Sequence, residues 1–195
     1  MKGGSLRFGR DDRLNTIYKE TQMERKGVVT MKGTPVTLIG PEIKVGDKAP
    51  EFACLSSELK TVTLADTAGK TRLFASVPSL DTPVCSLETT RFNKEAETLP
   101  ADKVAVQVIS VDLPFAQKRF CSMEGIKNVK VISDHKDLSF GNAYGVLMAE
   151  FRFLSRAIFV VDGGGVVRYV QYVKEVGEHP DYEAALAAVR KVAGI

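Results

Sequence analysis

The spacing of apolar and polar positions changes character along this chain. The stretch "VVTMKGTPVTLI" holds two short β-rich runs, Val28–Met31 and Val36–Ile39, around Lys32, Gly33, Thr34 and Pro35; the turn chemistry predicts a hairpin. "EFACLS" and "TVTL" predict two further strands. From "TRLFASV" onward, apolar strands alternate with stretches of helical texture. Strands are expected at Leu73–Val77, Val104–Val111 and Val129–Ser133, and helices at Pro83–Leu99, Pro114–Met123 and Lys136–Tyr144. "AIFVVDGGGVVRYVQYV" then predicts two strands around a glycine-rich turn, followed by a helix over Asp181–Ala193 that starts after Pro180. The alternation implies an α/β fold: a central mixed sheet of about five strands with parallel pairs, flanked by helices and extended by an N-terminal β-hairpin.

The triplet Gly163-Gly164-Gly165 follows a strand, as a dinucleotide-binding loop does. That motif would need glycine at Arg168, and the β-branched pair Val166-Val167 opens a strand instead of a helix. A hairpin turn accounts for it.

Composition narrows the picture. A chain of 195 residues, 44% hydrophobic and 26% charged, suits one soluble globular domain. No uncharged apolar stretch is long enough to cross a membrane. The formal charge is +3, and residues 1–27 carry all of it, with seven Lys or Arg against four acids; the rest is neutral. A nucleic-acid binder carries its basic face on the folded body, so none is expected as a partner. Residues 1–27 read as a flexible extension without a secretory apolar core, Met23 is a candidate start, and the domain is expected over 28–195.

The three cysteines, Cys54, Cys85 and Cys121, form no C-x-x-C pair and have no neighbouring Cys or His cluster, which argues against zinc. His135 and His179 fall in expected loops and read as surface residues. Cys54 alternates with Phe52 in a strand and reads as packing. Cys85 is different: Thr82 is a good N-cap and Pro83 suits the first helical position, so the thiol falls in the first turn. With Val84 at zero, it lies near about 100° on the wheel, beside Phe92, Ala96 and Leu99 and facing inward. Unpaired amides and the helix dipole there favour a reactive thiolate; a buried structural cysteine near a capped helix fits the same spacing. For Cys121, taking Phe115, Ala116, Phe120 and Met123 as the apolar face puts the sulfur on the opposite side, near about 240°.

The stretch "PSLDTPVC" supplies Pro78, Thr82 and Cys85 in the Pro-x-x-x-Thr-x-x-Cys pattern, which resembles peroxiredoxins. "KGTPVTL", "VGDKAPEF", "DLPFAQKRFC", "NAYGV" and "PDYEAAL" follow in order and are similar to bacterial thiol peroxidases, the atypical two-cysteine branch. The resemblance implies a thioredoxin-like fold, with Cys85 as peroxidatic cysteine and Cys121 as the resolving cysteine of an intramolecular disulfide. It further implies Arg156, in "SRAIFVVD", as the active-site arginine, Thr82 orienting the peroxide and Pro78 shielding the sulfur. Expected with it are a hydroperoxide substrate, recycling by thioredoxin, no bound cofactor, a homodimer and a cytoplasmic setting. A redox sensor or holdase of the same fold, and a plain structural domain with three inert thiols, are the readings from other classes.

Overall fold

The structure, a computed structural model, describes residues 23–195. Its main body is a seven-stranded sheet. Three central strands, β5 (Thr71–Ser76), β6 (Val104–Ser110) and β7 (Lys130–Ser133), run parallel. They are joined by the crossover helices α1 (Pro83–Ala96) and α2 (Pro114–Met123). On one side, β9 (Ala157–Val161) pairs antiparallel with β5, and β10 (Val167–Tyr172) continues the sheet. On the other, β3 (Ala53–Leu55) and β4 (Thr61–Thr63) extend it past β7. The expected count of about five strands is therefore corrected to seven. The two extra strands are only three residues long, and β3 meets β7 through the single pair Leu55 and Ser133.

The hairpin is present as β1 (Glu24–Met31) and β2 (Thr34–Ile39), with β8 (Leu147–Met148) completing a separate three-stranded sheet. β1 begins at Glu24, ahead of the run expected from Val28, and crosses Gly27 by a shift of register between Lys26 and Val29. Of the expected flexible extension over 1–27, residues 1–22 lie outside the described residues. At the turn, Lys32 and Gly33 both take positive φ, as a two-residue hairpin loop requires. The Glu175 carboxylate accepts both of their amides and the Thr30 hydroxyl, which fastens the hairpin to the body.

Residues of β5 alternate between two apolar layers. Leu73 and Ala75 face a layer containing Cys85 and Phe92 of α1, Phe120 of α2, and Tyr182, Leu186 and Val189 of α4 (Tyr182–Ala193). Phe74 faces the other, where it packs edge-on against Phe52, Phe140 and Tyr144. The helix expected over Lys136–Tyr144 is reduced to α3 (Ser139–Ala143), because Leu138 sits in the left-handed region and the first residues form a turn. α4 starts where Asp181 accepts the Ala184 amide at 2.9 Å. Gly163, Gly164 and Gly165 form the β9–β10 turn as expected, with Asp162 accepting the amides of Gly164 and Val166.

The expected apolar face of α2 holds at Phe120 and fails at Phe115 and Met123. Phe115 and Met123 are exposed, at 66% and 75%, while Pro114, Gln117 and Phe120 are buried and Cys121 is half-buried beside them. Polar Gln117 turns inward because two acceptors at the sheet end need a donor: its amide reaches Ser110 Oγ and the Ile132 carbonyl, both at 3.0 Å.

Gly40 links the two sheets at φ +104°, and a Cβ there would stand 2.0 Å from the Asn142 carbonyl oxygen. Backbone strain and overpacking then act together, so Gly40→Ala is expected to lose about 2–4 kcal/mol of unfolding free energy. An unchanged urea midpoint would contradict this account of the junction.

Candidate active site

Register brings the site together. Ser76 at the end of β5 pairs with Ala157 at the start of β9, so Arg156 lies beside the loop that leaves β5 for α1. Side chains alternate along a strand. Ile158 belongs to the layer that contains Cys85, and Arg156, two residues earlier, points to the same side.

There the guanidinium, 1% exposed, uses all three of its nitrogens. Nε donates to the Val176 carbonyl at 3.1 Å, Nη2 to Cys85 Sγ at 3.3 Å, and Nη1 to Glu88 Oε2. Cys85 is fully buried in the first turn of α1, and Pro78 is buried in the loop before it. Thr82 takes the N-cap position with extended backbone, but its hydroxyl makes no capping bond. Instead Thr82 Oγ1 lies 2.8 Å from Cys85 Sγ and 3.0 Å from the Ser79 carbonyl oxygen. A hydroxyl has one proton. It donates to the sulfur when the sulfur is a thiolate and to Ser79 when the sulfur carries its own proton.

Three buried ionisable groups thus meet in one place, and the sequence reading missed one of them. Glu88 is fully buried one turn after Cys85, with its second oxygen unpartnered among the described residues. Burial raises its carboxyl to about 7 against the lowering pull of Arg156. Arg156 itself is held above its usual range by Glu88 and Cys85, against the opposing effect of burial. The available signal was an acid three residues after the cysteine, on the same helical face.

The loop carrying Thr82 is held by Asp112, which follows β6. Its carboxylate accepts Ser79 Oγ at 2.7 Å, the Leu80 amide at 2.8 Å and Ser110 Oγ at 2.8 Å. Further along α1, Asn93 Oδ1 accepts the amides of Lys127 and Asn128 at 2.9 and 2.8 Å, tying that end of the helix to the segment after α2.

A cleft of about 440 Å³ opens beside the site, lined by Leu80, Thr82, Pro83, Ser86, Arg119, Phe120 and Met123. Cys121 opens on a different cleft, with Ser56, Lys118, Lys127 and Lys130. It is a free thiol, as are Cys85 and Cys54, and is not among the groups bonded to Cys85. The structure therefore gathers Thr82, Cys85 and Arg156 in one hydrogen-bonded set, buries Pro78 in the loop before α1, and leaves Cys121 outside that set. Cys54 is the chemical opposite of Cys85: buried, with its thiol 3.4 Å from the Asp134 carboxylate, and pushed well up in pKa by burial and by that charge. His135 and His179 bond to Ser133 Oγ and the Tyr182 hydroxyl and take no part in the cluster.

The Redoxin family matches residues 44–186. The chain belongs to the redoxin family. Thiol peroxidases similar to this redoxin include that of Halalkalibacterium halodurans (strain ATCC BAA-125 / DSM 18197 / FERM 7344 / JCM 9153 / C-125), 54% identical over 83% of this chain and 96% of the relative. That of Bacillus subtilis (strain 168) is 49% identical over the same shares. Among solved structures, a peroxiredoxin-like protein from Aquifex aeolicus superimposes with a TM-score of 0.80 at 42% identity, covering 88% of this chain and 98% of that one. The thiol peroxidase from Chromobacterium violaceum, at 23% identity over 84% and 95%, shares the fold with a TM-score of 0.74. These relatives support the expected thioredoxin-like architecture of the redoxin.

Proposed function

We propose that this chain is a thiol-dependent peroxidase that reduces hydrogen peroxide and organic hydroperoxides. The observation that carries the reading is the Cys85 sulfur, fully buried at a helix N-terminus and bonded to Thr82 Oγ1 and to the Arg156 guanidinium. The hydroxyl and the guanidinium present donors to the sulfur, as the nucleophilic thiolate form requires, and no histidine base is among its hydrogen-bond partners. The thiolate attacks the O–O bond, forms a sulfenic acid and releases water or an alcohol; Thr82 and Arg156 orient the peroxide and stabilise the developing charge. Buried Pro78 keeps bulk water from the sulfur.

Cys121 then resolves the sulfenic acid by forming an intramolecular disulfide with loss of water, and a thioredoxin-type reductant recycles it. In the folded arrangement, burial raises the pKa of the Cys121 thiol. The bond requires Cα atoms within about 7 Å and touching sulfurs, whereas Cys85 is fully buried and Cys121 lines a cleft of its own. Local unwinding at one or both helix ends, the first turn of α1 that carries Cys85 and the last turn of α2 that carries Cys121, would bring them together. Amide exchange should therefore be faster in the oxidised than in the reduced protein over 82–90 and 113–125; equal protection across both segments would rule the movement out.

Phe115 and Met123, exposed on one side of α2, offer apolar surface for the proposed homodimer. Phe115→Glu with Met123→Glu should turn a dimer into a monomer in sedimentation equilibrium, and a double variant with unchanged mass would remove this face from the interface. No helix of the described residues is long and apolar enough to cross a membrane, which is consistent with the proposed cytoplasmic setting.

The direct test is peroxide-dependent NADPH consumption coupled to thioredoxin and its reductase. Sustained turnover is expected for the natural chain, none for Cys85→Ser, and a single round that stalls at the sulfenic acid for Cys121→Ser. Sustained turnover by Cys85→Ser would refute the assignment. A pure redox sensor would show one oxidation without sustained consumption.

A further inference from the structure

The Cys85 cluster contains one permanent cation and two acids. Cys85 and Glu88 are both fully buried, Arg156 is 1% exposed, and Arg156 bonds to both acids through different nitrogens. Separating opposite charges from water is tolerable only when they balance. Arg156 can neutralise one anion; a thiolate and a carboxylate together would leave the pocket with a net buried negative charge. Glu88 Oε1, buried without a hydrogen-bond partner among the described residues, marks where the imbalance falls, because an anionic oxygen without a donor costs more than a neutral one.

The other ionisable groups facing Glu88 do not supply a second cation inside. From α4, Tyr182 feels its charge, and burial pushes that phenol up to about 12, so it stays neutral. Arg91 of α1 stacks on the Tyr182 ring at 4.1 Å and pairs with exposed Glu183, and His179 bonds to the Tyr182 hydroxyl from a loop.

We propose that Glu88 and Cys85 hold one proton between them across Arg156, so that Glu88 is neutral while the sulfur is a thiolate and takes over as the anion when the sulfur is oxidised. The inference rests on the peroxidase reading. In the step itself the O–O bond breaks, an S–O bond forms, and the sulfur gives up two electrons to the peroxide. The departing alkoxide takes one proton from water and Glu88 releases one to water, so no proton is taken up overall. The pocket stays neutral throughout: thiolate, Arg156 cation and carboxyl before; sulfenic acid, Arg156 cation and carboxylate after. Glu88 is a positioning residue here, since it acts through Arg156 and not on the peroxide. The rise of its carboxyl toward neutrality agrees with this exchange.

The test counts protons. In a Cys121→Ser background, which stops at the sulfenic acid, stoichiometric hydrogen peroxide is added at pH 7 in weak buffer with an indicator dye. The expected uptake is about zero protons per sulfenic acid with Glu88 present and about one in the Glu88→Gln double variant. Equal uptake in the two proteins, whether zero or one, overturns the exchange. Infrared difference spectra of the Cys121→Ser protein alone give a second readout should Glu88→Gln fail to fold. The stretch of a neutral carboxyl group should vanish on oxidation, and its persistence overturns the proposal. Absence of any sulfenic acid in the Cys121→Ser protein would sink the peroxidase reading and the exchange with it, a result distinct from equal proton uptake.

Discussion

A single buried guanidinium joins segments that the chain keeps far apart. Arg156 reaches Cys85 and Glu88 on α1 and the Val176 carbonyl in the loop after β10. Each contact is needed for the others, because a buried cation with any acceptor missing becomes a large energetic liability. The β5–β9 register delivers Arg156 to this point. The two-layer core in turn fixes that register, since a one-residue slip would turn Ile158 and Val160 out of one layer and Phe159 out of the other. The chemistry of the sulfur is thus tied to the packing of the whole sheet.

Two of the cysteines illustrate how environment, not residue type, sets reactivity. Cys85 and Cys54 are both buried and both bonded to charged groups. One faces a cation at a helix N-terminus; the other faces a carboxylate, which disfavours ionisation. The proposed function makes the first the nucleophile.

Much of this was legible in the sequence. The strand and helix alternation gave the parallel core and its crossovers, Thr82-Pro83 marked the start of α1, and the wheel correctly turned Cys85 inward. The apolar face of α2 was misread because the wheel assigns apolar residues to the interior, whereas Gln117 is drawn in by Ser110 Oγ and the Ile132 carbonyl. A demand for donors at a sheet end leaves no periodic trace. β3 and β4, at three residues each, carry too few positions for period two to fix their place in the sheet. Glu88 escaped notice because a carboxylate inside an apolar stripe looks like an interruption until its cation, 68 residues away, is in view.

The anchoring of α1 is unequal along its length. Asn93 clamps the far end to Lys127 and Asn128, while the near end has no hydroxyl cap and relies on Asp112 to hold the loop before it. In the proposed cycle, unwinding of the sulfur-bearing tip would leave the Asn93 clamp in place, so the tip could return to the same seat once reduced without a fresh search for the fold.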